Sequence, residues 1–262
     1  MFETRSRRAR FVLQVVVTAM AIPYLLPLVA MVQGSLAGQG WLNYKIVLSV
    51  PHVWSFFVNS AVIAATAIAI VYVCTVSAAF GFSKLHVRGK EIYFWVMLAA
   101  LTLPEVVLLT PLFVTALKLG LYSTLWAVAI PLAALQLPFT VLITRSFVNG
   151  IPDQLFEAAR VDGATSLGLF RHVVLPLTRP IAATIVVFTL ITAWNDYLLP
   201  LVMLPNPGVQ TITLIPQFFI GQFNNDQTKV LAAAVITALP EIVAYLSLQR
   251  WFERGISAGV LK

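Results

Sequence analysis

Six apolar runs decide what this chain can become. Residues 11–33, 57–83 and 124–144 contain no charged side chain, and 92–114, 181–203 and 230–249 contain one acid each, Glu105, Asp196 and Glu241. An α-helix rises 1.5 Å per residue, so about 20 apolar residues cross the hydrocarbon of a bilayer. Backbone polar groups in lipid must be satisfied within the protein, which leaves helices or closed barrels. Barrel strands alternate in polarity over about ten residues, and these runs do not alternate. The expected fold class is an all-α membrane protein with six transmembrane helices in one domain over residues 1–262. Composition agrees, with 10% charged residues where soluble domains carry about 25%.

Basic residues set the expected orientation. Of the 17 lysines and arginines, 14 fall in the N-terminal segment, the 84–91 loop, the interval after the fourth run and the tail. Only Lys45, Lys118 and Lys229 fall on the other side. The positive-inside rule then puts both termini and the 151–180 interval in the cytoplasm. The first run is too long for the apolar part of a signal peptide and reads as a retained span. Loops at 34–56 and 204–229 are expected outside. The net charge of +7 is a topology signal rather than a nucleic-acid stripe. Cys74, the single cysteine, is expected to be a small buried packing residue.

The 151–180 interval, IPDQLFEAARVDGATSLGLFRHVVLPLTRP, is the longest polar stretch. Pro152 can start a helix, Asp153 suits the positive end of its dipole, and Gly163 can end it in the left-handed conformation. Ser166 is the expected cap of a second helix running to Leu175-Pro176. A helix of about three turns is marginal alone in water, so something must hold it. Two readings stay open on these grounds: a docking element for a partner, or a loop resting on lipid headgroups. No loop is long enough to form a core, and no phosphate loop, zinc spacing or nucleophile elbow is present. The chain is not expected to be an enzyme or to bind a cofactor. Work against a gradient would need an ion or an energised partner.

Glu157-Ala158-Ala159, then Gly163, Val173 and Leu175-Pro176 at fixed gaps resemble the EAA motif of bacterial ABC-importer permeases. The family usually has Ile at Val173. Similar stretches are FVNSAVIA (57–64), LPEVVLLTPLF (103–113), ITRSFVNGIPDQLFEAARVDGA (143–164), WNDYLLPL (194–201) and LQRWFERGISAGVLK (248–262). The chain resembles the carbohydrate-uptake branch, in particular the maltose-type subunits without large extra domains. The resemblance implies a permease subunit forming half of a pathway for a sugar or oligosaccharide, in a bacterial or archaeal cytoplasmic membrane. It implies a second permease subunit, two copies of a nucleotide-binding ATPase carrying ATP and Mg, and an extracytoplasmic solute-binding protein. No nucleic-acid partner is expected. Leu155, Phe156, Glu157, Ala158, Ala159, Arg160, Asp162 and Gly163 would form the coupling helix and its turn. Leu175 and Pro176 would return the chain to the membrane, and 255–262 would reach toward the ATPase interface.

Asn59, Gln136, Trp194, Asn195 and Asp196 are the candidates for a solute path. Acids inside spans are costly and are functional candidates. Glu105 and Glu241 each follow a proline, and could instead bond backbone groups that the proline frees. An ion-coupled secondary transporter using Glu105 or Glu241 is the alternative function, although no internal repeat supports it. An intramembrane enzyme is the weakest reading, since no nucleophile and base lie at one depth.

Overall fold

In a computed structural model the described residues are 7–221 and 225–260, with side chains described for 8–221 and 225–249. Twelve helices follow in chain order: α1 (Arg7–Ser35), α2 (Leu42–Leu48), α3 (Val53–Lys84), α4 (Lys90–Ala99), α5 (Glu105–Lys118), α6 (Trp126–Asn149), α7 (Asp153–Val161), α8 (Ser166–Leu169), α9 (Leu175–Leu177), α10 (Arg179–Asn195), α11 (Leu198–Met203) and α12 (Gln227–Val260). Among the described residues there is no strand, only an isolated bridge between Ile220 and Asn225. Among the described residues four helices are long and apolar enough to cross a membrane, and up to six spans result if each of two bent pairs, within 90–118 and 166–195, is one span. Arg5 and Lys262, two of the orientation-setting charges, lie outside the described residues. The tail from 255 continues the α12 backbone as far as Val260.

The chain divides into two compact units. One contains the residues up to Pro51 and Ile215–Leu239. In it, the expected outside loop contains α2, tied to the end of α1. Asn43 Nδ2 donates to the Ser35 and Ala37 carbonyls at 2.9 Å each, and Ser35 Oγ lies 2.5 Å from Tyr44 Oη. Gly34 lets α1 and α12 approach closely, because a Cβ there would stand 2.5 Å from Leu231 Cδ1. Asp226 caps α12, accepting from the Lys229 N–H at 3.2 Å and from the Thr228 hydroxyl at 2.7 Å, and it pairs with the Lys229 ammonium. The Lys229 hydrogen bond, then that of Thr228, holds the Asp226 carboxyl down at about 2. A depressed carboxylate stabilises the fold above its unfolded value. The cap is therefore complete above about 4 and is lost as pH falls through about 2. Asp226→Ala is expected to speed amide exchange at Thr228 to Val230 by about fivefold, as loss of an N-cap does.

The other unit contains His52–Leu214 and the residues from Pro240 onward. Its core is the α3–α6 interface, with α10 against α3. Along α3 the buried residues Ile63, Ala64, Ala67, Val71, Thr75 and Ala79 form one stripe. The matching buried residues of α6 include Ala127, Ala129 and Ala133. Small side chains allow close helix approach where lipid supplies no hydrophobic drive. Thr75 and Thr140, both buried, bridge the two helices Oγ1 to Oγ1 at 2.8 Å. Cys74, next to Thr75 on α3, is exposed, which corrects the expectation of burial.

Two expected spans are broken. The 92–114 run is two arms bent by 105°. Leu103 precedes Pro104 and is pushed to extended backbone (φ −83°, ψ 122°) by the pyrrolidine ring. Pro104 supplies no N–H to continue the ladder, and α5 starts afresh at Glu105. The 181–203 run stops at Asn195 and resumes as α11. Pro200 lacks the N–H that would reach the Asp196 carbonyl, and Thr213 Oγ1 donates to that carbonyl at 2.8 Å instead.

Candidate functional site

Two regions of this second unit carry functional groups. The first is the helical module after α6. Its first helix runs from Asp153 to Val161 and ends as its sequence implies. Gly163 has φ +85°. The Ala164 N–H reaches the Ala159 carbonyl and the Gly163 N–H reaches the Arg160 carbonyl, both at 2.9 Å. That pair of bonds is the Schellman stop, which needs a left-handed residue at the glycine position. The second helix is capped by Thr165 rather than Ser166: Thr165 Oγ1 accepts from the Gly168 N–H at 3.3 Å. It then passes through a π-helical segment, Phe170–Val174, before α9. After Thr178 the backbone bends by 73° into α10, with Pro180 in the first turn.

The module is held from below. Phe156 is 2% exposed and belongs to the core cluster with Phe80, Leu169 and Val174. The Phe80 and Phe170 rings lie 5.8 Å apart. Lys84, the last residue of α3, donates to Asp153 Oδ1 at 2.7 Å and to the Ile151 carbonyl at 2.9 Å. That ammonium also lies 4.8 Å from the centre of the Phe156 ring. The hydrogen bond from Lys84, then its charge, holds the Asp153 carboxyl below its ordinary value. A second staple lies nearby: Arg145 of α6 pairs with Glu91 of α4 at 2.5 Å and stacks 4.0 Å over Phe94. The cations Lys84 and Arg145, separated in sequence, are thus both tied down near the start of α7.

Of the residues predicted for coupling, Leu155, Glu157, Ala158, Arg160, Asp162 and Gly163 are exposed, and Ala159 is half-buried. Phe156 faces inward, so it anchors the helix and does not offer itself to a partner. Val161, which sequence reasoning passed over, is 87% exposed and adds an apolar side chain to the outer face. Leu175 and Pro176 begin α9, beyond the π segment.

The second region is a cavity of about 540 Å³ between the α4–α5 break, α6 and the α10–α11 break. Gln136, Asn195 and Asp196, three of the path candidates, line it, joined by Glu105, Thr192 and Tyr197. Asn195 Nδ2 donates to the Ile191 carbonyl at 3.0 Å and to Glu241 Oε1 at 2.7 Å. Both amide hydrogens are then engaged, and the Asn195 carbonyl oxygen is what remains to offer. Asp196 Oδ1 accepts from the Leu199 N–H at 3.4 Å, while its buried Oδ2 has no partner. The lining contains no Lys, Arg or His. Glu241 is bonded to a side-chain amide rather than to backbone freed by Pro240. Glu105 opens α5, where a carboxylate suits the helix dipole.

Two predicted path residues are elsewhere. Asn59 spends its amide on the Gly208 and Gln210 carbonyls, at 3.1 and 2.9 Å, and so fastens a loop. Trp194 is buried in α10 and is not part of the lining. Sequence reasoning gives Glu105 a role as an intramembrane acid after a proline or as an ion-coupling group, and not a place in the solute path. Its place after Leu103-Pro104 was the signal that could have assigned it to the cavity, because a helix break opens space beside a span. Among the described residues no group of His, Cys, Asp and Glu could hold a metal ion.

The chain belongs to the family of binding-protein-dependent transport system inner membrane components, whose profile matches residues 72–258. It is 34% identical over 208 residues to the probable ABC transporter permease protein YurM of Bacillus subtilis, covering 79% of this chain and 69% of that one. It is 29% identical over 207 residues to the melibiose/raffinose/stachyose import permease protein MelC of the same species, covering 79% and 75%. It is 30% identical over 218 residues to the sn-glycerol-3-phosphate transport system permease protein UgpE of Salmonella typhi, covering 82% and 76%. The fold matches a chain in the crystal structure of a bacterial ABC transporter involved in import of the acidic polysaccharide alginate. The TM-score there is 0.76 at 22% identity, over 96% of this chain and 99% of that one. A chain of the MetNI methionine ABC transporter matches at TM-score 0.62 and 20% identity, over 80% and 97%.

Proposed function

We propose that this chain is a permease subunit of an ATP-driven importer of a sugar or oligosaccharide, coupled through α7 to a cytoplasmic ATPase. The observation that carries the reading is the two-sided character of α7. Phe156 and the Lys84 contacts fix its inner face, while Leu155, Glu157, Ala158, Arg160 and Val161 are left outward. A short helix resting on headgroups needs no such anchor, whereas one that takes up force from a partner does. The end bearing Lys84, Arg145 and α7 is the cytoplasmic one in this reading, and both termini are inside.

The chain forms one half of the pathway, and a second permease subunit forms the other. Two ATPase copies hold ATP and Mg, and an extracytoplasmic binding protein delivers the solute. The cavity suits the solute class. Asp196 Oδ2, the Asn195 carbonyl and the Glu105 carboxylate accept hydrogen bonds, and sugar hydroxyls donate them. Membership of the transport family supports this reading over an ion-coupled mechanism on Glu105 or Glu241.

The test is copurification. An affinity-tagged chain, expressed with the operon that encodes it and gently solubilised, should bring down a nucleotide-binding subunit. Glu157→Lys, which reverses the charge on the outer face without touching the anchor, should reduce that recovery by about tenfold, consistent with the cost of a misplaced interface charge. Recovery of the chain alone, or no effect of Glu157→Lys, would refute the docking role.

A further inference from the structure

We infer that Lys84 is the positioning residue that fixes the orientation of α7 and ties its movement to α3. The inference deepens the coupling reading and rests on it. The Lys84 side chain is 9% exposed, and an ammonium this buried needs partners for its donors. Its contacts fall at three places: Ile151 before α7, Asp153 in its first turn, and Phe156 one turn on. A single ion pair would leave the helix free to pivot about one point. Three contacts on one ammonium restrict both its position and its rotation.

The ion pair alone does not account for this. Asp153 is 77% exposed, and exposed pairs contribute little. The buried share of the contact is the Ile151 carbonyl and the Phe156 ring. Lys84 is also the last residue of α3, where a cation suits the negative end of the helix dipole. The same helix forms the core interface with α6 and carries the buried Thr75–Thr140 bridge. A displacement of α7 therefore pulls on the end of the helix at the centre of the unit.

The experiment uses the full-length chain, both alone and in complex with the ATPase that copurifies with it. A nitroxide is placed at Val161→Cys in a Cys74→Ser background, Cys74 being the single cysteine. Lys84→Met keeps the apolar stem and removes the charge. The nitroxide should become at least twofold more mobile, and ATPase should still copurify with the unlabelled complex. Stimulation of its activity by solute-loaded binding protein should fall severalfold. Lys84→Arg keeps charge, donors and ring stacking, and should restore both readouts. Should Lys84→Met not accumulate, Lys84→Gln, whose shorter neutral side chain cannot reach all three contacts, must mobilise the same label. An unchanged nitroxide spectrum in these variants would overturn the inference. A mobile label with unchanged stimulation would uphold Lys84 as the anchor and overturn the coupling reading instead.

Discussion

Phe156→Ala is expected to release α7 from the body of the protein while the α3–α6 core stays intact. The ring is 2% exposed and packed in the cluster that includes Phe80, Leu169 and Val174. Phe-to-Ala changes at such sites cost about 3–5 kcal/mol through lost burial and the cavity left behind. Nine residues of helix cannot persist without that support. The loss should therefore appear as local unfolding rather than as failure of the whole chain. Amide exchange over residues 153–164 should accelerate by at least a hundredfold, with α3 and α6 unchanged. ATPase copurification should disappear with it. Leu155→Ala on the exposed face is the control and should leave exchange unaltered. Equal exchange in Phe156→Ala and the parent chain would mean that something other than this ring holds the helix.

Gly163→Val should give the second large effect, by a different route. At φ +85° an L-residue pays a backbone penalty of about 1–2 kcal/mol, and a β-branched residue is the worst case. No atom lies within 4 Å of where a Cβ would sit, so the fault is conformational and not steric. The chain can relieve it by giving up the two bonds that stop α7. The turn into α8 is then lost, although Phe156 still anchors the helix. Binding-protein stimulation of the partner ATPase should fall by about tenfold. Gly163→Asn should retain most of it, because asparagine tolerates the left-handed region. Equal loss in both variants would show that a partner surface, and not φ, requires glycine.

Much of this was legible in the sequence, and the failures share a physical cause. The spans were visible because each needs only its own residues. The α7 stop was visible because Gly163 and its bonding partners are neighbours in the chain. The broken spans were harder. Pro23, Pro27, Pro131, Pro138 and Pro240 all remain inside helices, so a proline alone does not announce a break. At Asp196 the deciding partner is Thr213, whose hydroxyl takes the carbonyl that Pro200 leaves free. Long-range partners also decided the site. Asn59 was withdrawn from the path by a loop about 150 residues away, and α7 was fastened by a lysine that sequence reasoning counted only as a topology charge. Gln136, Asn195 and Asp196 could be singled out because polar groups in apolar runs stand out on their own.

The break at Pro104 also bears on how the chain is made. Residues 92–114 leave the ribosome as one apolar segment, yet α5 finally packs against α11. Leu198 follows Lys118 by 80 residues, which is about 4–16 s of synthesis at 5–20 residues per second. During that interval α5 has α6 beside it but not α11, and Glu105 has no finished cavity to face. Completion of the cavity is therefore a later event than the break itself, which Leu103 and Pro104 set locally. A chain truncated before Leu198 would leave Glu105 beside a cavity that lacks its α11 wall, Leu198 and Leu199.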